Sequence, residues 1–415
     1  MSAKMLPLPI RIANQLGRFG RNLGLPIGRL DAERMTAAAR KSTGLRDFGS
    51  NDFRDPLDRL IRSLEQDANL HALGRVIARS DITRYLATRL QLEDWHGRHP
   101  EIAQCGIRRP IFIVGQGRTG TTILHELLAL DPNNRVPQTW EIDTPFPPPE
   151  RASYESDPRI AACQKELDRA ESLIPAFAKI HRMGATLPQE CVRITGMDFL
   201  SLIFAAQWRV TEYTRWLIHD ADLAEAYANH RRMLQLLQWR CPAERWVLKS
   251  PGHQWHLEAL LREYPDARFV QTHRDPLKVL SSITSLEVVL RSMSSDAIDT
   301  HEIAREWSEW NCEAYDRSVA FRESGAVDPS RVIDLHFRQF VTDPISEIRK
   351  IYDQFEIDLH PETELLMKQY VESNPDDRDG KHVHRFAATG LDIDEEREKV
   401  SRYQETFEVE SESNL

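Results

Sequence analysis

The sequence has little of what nucleic-acid-binding, membrane-spanning or disulfide-rich proteins need. Its 54 Lys and Arg residues are outnumbered by 64 Asp and Glu residues, which gives a net charge of −10 and argues against a large phosphate-binding surface and a nucleic-acid partner. No apolar stretch approaches the roughly 20 residues that cross a bilayer as a helix. The 5 cysteines are an odd number without a C-x-x-C pair. They predict neither a zinc site nor a disulfide framework, and they favour a reducing, cytoplasmic location.

Acidic residues are also missing from the first thirty positions, where basic residues alternate with Leu, Ile and Phe. Two interpretations stay open for this basic N-terminus: a strap packed on the acidic body, or a helix in weak contact with a membrane surface. Apolar residues at helical spacing follow, at Leu57, Leu60, Ile61 and Leu64. We therefore expect residues 1–105 to form a helical N-terminal region.

Short β-branched runs alternate with helical patterns through the centre of the chain. The runs at 111–114, 246–248, 267–272 and 332–335 indicate buried strands, and a helical pattern follows each of them. This alternation predicts an α/β fold, a parallel sheet flanked by helices, with helical insertions at about 151–245 and 295–325. We assign residues 106–391 to this domain. Residues 392–415 form an acidic tail whose end is expected to be mobile.

A glycine-rich turn, GQGRTGTT at 115–122, joins the first strand to its helix. Backbone N–H groups at a helix N-terminus favour phosphate, and three kinds of nucleotide site compete for this turn. A triphosphate P-loop has the same glycine spacing but requires a lysine where Thr121 stands. A dinucleotide fingerprint matches the glycines, yet the acid that follows, Glu141, does not end a buried strand. The third interpretation uses Arg118 as the cation within the turn and the threonines as hydroxyl donors.

The turn resembles the 5′-phosphosulfate loop of sulfotransferases that use 3′-phosphoadenosine 5′-phosphosulfate (PAPS). Their loop reads [K/R]-[S/T]-G-T-[S/T], which RTGTT at 118–122 matches. The resemblance is to the large bacterial-type branch, and it implies the P-loop-like fold that the family shares with nucleotide kinases. It also implies PAPS as the donor, bound through Gly117, Arg118, Thr119, Gly120, Thr121 and Thr122.

A second motif resembles the part of this family that binds the 3′-phosphate. Arg274 ends an apolar run, and Ser282 follows eight residues later. A strand-end Arg can hold phosphate through two hydrogen bonds, and a Ser two helical turns along can add a hydroxyl. The family also closes a basic, glycine-containing loop over this phosphate, which implies contacts from Arg378 and Lys381.

Sulfuryl transfer needs positive charge beside the sulfonate and the leaving phosphate, together with a base for the acceptor. Arg118 supplies charge from the loop, and Lys249 resembles the family's strand-end lysine, so no metal is required. The resemblance leaves two candidates for the base. Glu141 is placed like the Glu of the protein-tyrosine enzymes, and His253 lies near the position of the His in the small-molecule enzymes. We expect Glu141 to be the base.

The sequence does not determine the acceptor, which is a hydroxyl or amine of a small molecule, lipid or carbohydrate. The expected acceptor contacts are His181, Glu190 and Trp140. Two other functions stay open. One is a P-loop nucleotide kinase or NTPase, and the other is a non-catalytic protein that binds the product, 3′-phosphoadenosine 5′-phosphate (PAP). Assembly into a homo-oligomer also stays open.

Overall fold

The computed structural model describes residues 8–23, 28–173, 183–374, 384–413 and 415. Among them, a five-stranded sheet has the order β2-β3-β1-β4-β5, and each neighbouring pair is parallel. The strands are β1 (Ile111–Val114), β2 (Asn134–Arg135), β3 (Arg245–Lys249), β4 (Arg268–His273) and β5 (Val332–His336). The predicted parallel α/β fold is confirmed.

Helices cover both faces of this sheet, and four of the described helices precede its first strand in the chain. The first group is α1 (Leu8–Asn22), α2 (Ala32–Thr43), α3 (Arg54–Gln66), α4 (Ala72–Arg98), α5 (Thr121–Leu128), α6 (Thr139–Asp143) and α7 (Pro158–Leu173). The second is α8 (Val192–Thr195), α9 (Ile203–Gln207), α10 (Thr211–His219), α11 (Ala224–Trp239), α12 (Leu257–Glu263), α13 (Pro276–Ser292) and α14 (Thr300–Glu323). The last is α15 (Phe337–Thr342), α16 (Pro344–Gln354), α17 (Pro361–Ser373), α18 (Ile393–Lys399) and α19 (Ser401–Thr406).

All four residues of the central strand β1 are buried. Since successive side chains of a strand point to opposite faces, both faces of β1 are covered. Phe112 belongs to the larger hydrophobic core, whereas Ile111 and Ile113 belong to a second core on the other face. The sheet therefore holds its carboxyl edge rigidly. In parallel sheets, ligand sites lie along that edge.

The described part of the predicted N-terminal region shares the larger core with the sheet. Leu60 and Leu86, from α3 and α4, belong to the same hydrophobic cluster as Phe112. Arg89 of α4 is fully buried and forms an ion pair with Asp198 of the central helical insertion. The helices before β1 are thus built into the body around the sheet.

The segment after residue 391 folds back onto the sheet in its described part. His273, at the end of β4, has Nδ1 2.7 Å from the Tyr403 hydroxyl, and its ring stacks on Phe407 with the centroids 4.6 Å apart. The described part of the predicted acidic tail thus contains two short helices, and Tyr403 and Phe407 pack against the end of β4. None of the helices in the described residues is long and apolar enough to cross a membrane.

Candidate active site

The turn between β1 and α5 has the backbone conformations that a phosphate loop requires. Gly115 and Gly120 have φ angles of 132° and 87°, and a Cβ on Gly115 would lie 2.3 Å from the Thr272 hydroxyl. Thr119 donates a hydrogen bond to the Gln116 carbonyl oxygen at 2.6 Å, and its Oγ1 lies 2.7 Å from Thr272 Oγ1. The turn is thus held against the end of β4.

Arg118 and Arg274 meet at this turn. Arg118 has a left-handed backbone (φ 73°), and its Nε donates to Ser282 Oγ at 3.1 Å. Arg274 Nη1 donates to the Arg118 carbonyl oxygen at 3.0 Å. Burial, and then the nearby charge of Arg274, lower the pKa of Arg118. Two cations and a hydroxyl from separate elements therefore converge at one place, which suits a polyanionic ligand.

Lys249 ends β3 on the other side of the same turn. Its side chain is buried, and Nζ lies 2.6 Å from Glu190 Oε1 and 3.4 Å from Thr122 Oγ1. The backbone N–H of Cys191 donates to the Lys249 carbonyl oxygen at 2.9 Å, which fixes the Glu190 segment beside the strand end. A cation, a carboxylate and a hydroxyl are thus neighbours next to the phosphate loop.

A cavity of about 370 Å³ adjoins these groups. Gly117, Arg118, Thr122, Lys249 and Glu190 all line it. The rest of its wall is largely apolar and includes Leu202, Trp208, Trp255, Leu286, Leu290 and Trp307. Anion-binding groups therefore face a space that suits an apolar molecule.

A model of the sulfotransferase family matches residues 110–361, which is more than half of the chain. This chain belongs to the sulfotransferase family. Two crystal structures, sulfotransferase STF9 from Mycobacterium avium and sulfotransferase STF1 from Mycobacterium tuberculosis H37Rv, are similar to it with TM-scores of 0.84 and 0.81. Each is 29% identical to it, and the matches cover 91% of this chain and 97% and 100% of theirs.

A curated relative is the omega-hydroxy-beta-dihydromenaquinone-9 sulfotransferase Stf3 of Mycobacterium tuberculosis, which is 26% identical over 260 residues. The match spans 59% of this chain and 61% of Stf3. The resemblance inferred from the two phosphate motifs is thus confirmed at the level of the family and its fold.

Glu141, predicted from the sequence as the base, is buried inside the protein and does not line the cavity. Its carboxylate is 2.5 Å from Arg135 Nη2, and it accepts hydrogen bonds of 3.0 Å from the Tyr154 hydroxyl and from the backbone N–H of Gln138. Trp140 is also fully buried, and its Nε1 donates to Gln138 Oε1 at 2.7 Å. Glu141 completes a capping box with Gln138 at the start of α6, and Trp140 is buried beside it.

His253, the second candidate, is enclosed by aromatic rings. Its Nδ1 lies 2.9 Å from the Tyr227 hydroxyl, and its ring packs edge-on against Phe112 with the centroids 5.2 Å apart. Burial, followed by the charges of two neighbouring histidines, lowers the pKa of His253 well below its ordinary value. Three other predicted contacts, His181, Arg378 and Lys381, lie outside the described residues.

The cavity is also lined by an acid that the sequence analysis missed. Glu287 lies on α13 between Ile283 and Leu290, which line the cavity from the same helix face. Its side chain is 3% exposed, and Oε2 has no hydrogen-bond partner in the described residues, although it lies 3.5 Å from Arg291 Nε. Burial, opposed in part by Arg291, raises the pKa of Glu287 to about 8. The sequence signal that could have identified Glu287 was an acid at a helical position otherwise occupied by apolar residues.

The end of the chain contacts the arginine predicted to bind the 3′-phosphate. Arg274 Nε lies 2.7 Å from Glu412 Oε1, and Nη2 lies 3.3 Å from Glu412 Oε2. The guanidinium also sits 3.9 Å above the centre of the Phe337 ring. The backbone N–H of Glu412 donates to Asp275 at 2.6 Å. A carboxylate thus forms with Arg274 the two-point contact that a phosphate would form.

Proposed function

We propose that this sulfotransferase transfers a sulfuryl group from PAPS to the hydroxyl of a small, apolar or lipid acceptor and releases PAP. The observation that carries the proposal is the convergence of Arg118, Lys249, Arg274 and Ser282 around the phosphate loop, at one end of a largely apolar cavity. Family membership argues against the nucleotide kinase and NTPase alternatives. A cytoplasmic location remains a prediction from the cysteine content.

Each cation would have a distinct task in donor binding. The loop N–H groups, the threonine hydroxyls and Arg118 would hold the 5′-phosphosulfate, while Arg274 and Ser282 would hold the 3′-phosphate. No metal ion is needed in this scheme, because Arg118 and Lys249 supply the charge that stabilises the leaving oxygen and the sulfonate oxygens.

We assign the base to Glu190 in place of Glu141 and His253. Glu190 lines the cavity and lies 2.6 Å from Lys249, whereas the other two candidates are enclosed by protein. In the transfer step the acceptor oxygen forms a bond to sulfur, and the bond from sulfur to the phosphate oxygen breaks. The hydroxyl proton passes to the Glu190 carboxylate, and Lys249 remains beside the sulfonate.

The cavity wall favours an apolar acceptor over a carbohydrate, because tryptophan and leucine side chains offer few hydrogen bonds to a polyol. The relative Stf3 is named for a hydroxylated menaquinone. A lipid or aryl alcohol is the acceptor class that this wall accommodates.

The test begins with thermal unfolding in the presence of PAP, ATP or NAD. A ligand at 100 times its Kd stabilises the native state by about 2.7 kcal/mol, and we expect this response for PAP alone. Labelled PAPS is then supplied with a series of primary alcohols, and the products are identified by mass. If ATP stabilised the protein and PAP did not, the proposal would be overturned. PAP binding without any transfer would support the non-catalytic alternative.

A further inference from the structure

Helix α1 presents an apolar stripe to solvent. Leu8, Ile12, Leu16 and Phe19 are between 49% and 66% exposed, and Leu23, just after the helix, is 64% exposed. At 100° per residue, these five side chains fall within an arc of about 80° on the helical wheel. Exposed apolar side chains scattered singly are ordinary, but a continuous stripe of five marks an interaction surface.

The opposite side of α1 attaches the helix to the protein. Asn14, Gly17 and Gly20 are buried, and Asn14 Oδ1 accepts a hydrogen bond from the Leu73 N–H at 3.0 Å. Because the buried residues in the described part of α1 are Asn14, Gly17 and Gly20, the large apolar side chains of the stripe contribute little to packing within the chain. The stripe is therefore better explained by binding to another molecule than by the folding of this chain.

The charges of α1 indicate what the stripe binds. The helix contains Arg11, Arg18 and Arg21 and no acid, although the whole chain has a net charge of −10. Arg11 and Arg18 lie along one flank of the stripe on the wheel, and Arg18 pairs with Asp296 of the body. A second copy of the chain packing stripe against stripe would bring arginines together without acids from α1 to offset them. Anionic lipid headgroups, in contrast, complement a basic helix with an apolar face.

We propose that α1 docks this protein on the surface of an anionic bilayer, with the stripe at the boundary of the acyl chains. Arg11, on the flank of the stripe, then lies at the level of the lipid phosphates. The helix lies in the plane of the interface and does not span the membrane.

The attachment points of α1 lie next to the wall of the cavity. Leu73, which Asn14 contacts, is one helical turn before Ile77 on α4, and Asp296, the partner of Arg18, comes three residues after Met293. Ile77 and Met293 both line the cavity. A bilayer bound by α1 would therefore lie beside the acceptor cavity. This step rests on the proposed function, and it specifies the acceptor as a hydroxylated lipid resident in the membrane.

The experiment is flotation of the full chain with vesicles of phosphatidylcholine and phosphatidylglycerol at 3:1, and with phosphatidylcholine alone. The double variant Leu16→Gln/Phe19→Gln removes the centre of the stripe. Its matched control, Leu365→Gln/Leu366→Gln, removes two exposed leucines from α17. We expect binding to the anionic vesicles only, a loss of at least tenfold in the α1 variant and no change in the control. Thermal shift with PAP shows whether both variants are folded and tests donor binding independently of the vesicles.

Two outcomes would overturn the docking. One is equal vesicle binding, or no binding, by the wild-type protein and the α1 variant. The other is that light scattering detects a dimer of the wild-type protein, that the α1 variant is monomeric, and that neither binds vesicles. The stripe would then be the contact surface for a second copy of the chain. The acceptor step is tested by transfer to hexadecanol in vesicles and to octanol in solution. We expect the α1 variant to lose transfer to hexadecanol in vesicles and to retain transfer to octanol in solution. If the variant matched the wild type in its rates with both alcohols, the inference of a membrane-resident acceptor would be contradicted.

Discussion

Single residues in the site divide into those that face the cavity and those that hold its walls. Glu190 and Glu141 illustrate the division, since both are acids that the sequence analysis assigned to the site. Glu190 is beside Lys249 on the cavity, whereas the Glu141 carboxylate is shut inside with Arg135. The resemblance to the protein-tyrosine enzymes made Glu141 the stronger candidate, and nothing in the sequence shows that Arg135 turns inward to meet it.

Glu190→Gln should lower kcat by about 10²–10³-fold, because one proton acceptor beside the reacting oxygen is lost. PAP binding, measured by calorimetry, should change little, since Glu190 is assigned no contact with PAP. Activity close to that of the wild type would remove Glu190 from the role of base.

Glu141→Gln serves as the contrasting substitution. It leaves the Arg135 guanidinium buried without its counter-charge, which typically costs about 3–5 kcal/mol of stability. We therefore expect a lower midpoint in urea unfolding, with turnover per folded molecule preserved. Loss of turnover at full stability would instead return the base to Glu141.

Glu287 should make stability depend on pH. Its pKa is raised to about 8 in the folded chain, from an ordinary value of 4.5. Between these values the native state holds a proton that the unfolded state has released, so stability falls as pH rises from about 5 to 8. The facing charges are Arg291 and Glu306.

Glu287→Gln keeps the shape of the side chain and removes its titration. The difference in unfolding free energy between Glu287→Gln and the wild type should therefore grow in favour of the variant between pH 5 and pH 8. Parallel stability curves for the two proteins would show that Glu287 titrates normally.

At the scale of elements, the proposed phosphate site is built from the turn after β1, the end of β4 and the start of α13. The sequence predicted these three parts, because glycines in a strand-to-helix turn and an arginine at a strand end are local patterns. It did not predict that Glu412 would reach Arg274, since the two residues are brought together only by the return of the chain through α18 and α19.

Glu412→Gln should tighten PAP binding severalfold, because the tail carboxylate and the 3′-phosphate would compete for Arg274. The gain should shrink as salt screens the pair. Glu405→Gln is the matched control, since it removes the same charge from an exposed position in the same segment. Equal PAP affinities for the two variants in calorimetry would show that Glu412 does not compete.

At the scale of the whole molecule, the N-terminal helices and the sheet share one core. Buried residues such as Leu86 pack in the same cluster as Phe112, and Arg89 pairs with the buried Asp198. Burial raises the pKa of Asp198 to about 7, while Arg89 opposes that rise. The boundary predicted at residue 105 therefore marks the change from a helical pattern to alternating strands and helices. It does not separate two hydrophobic cores.

A fragment of residues 106–415 should consequently fail to fold, because it exposes the core surface that α3 and α4 cover. The full chain should unfold in a single transition. Calorimetry on the full chain and circular dichroism on the fragment check this expectation. A fragment that melts cooperatively would show that the α/β domain is independent.

The sequence by itself determined the parallel α/β fold and predicted a phosphate loop with a paired arginine and serine, because these depend on local periodicity, turn geometry and short spacings. Only the tertiary structure decided which acids face the cavity, that Glu287 is buried in its wall and that Glu412 meets Arg274. Each of those facts depends on contacts between residues far apart in the chain. The lack of acids in the first thirty residues pointed to an unusual segment, and the fold then showed that its apolar side faces outward.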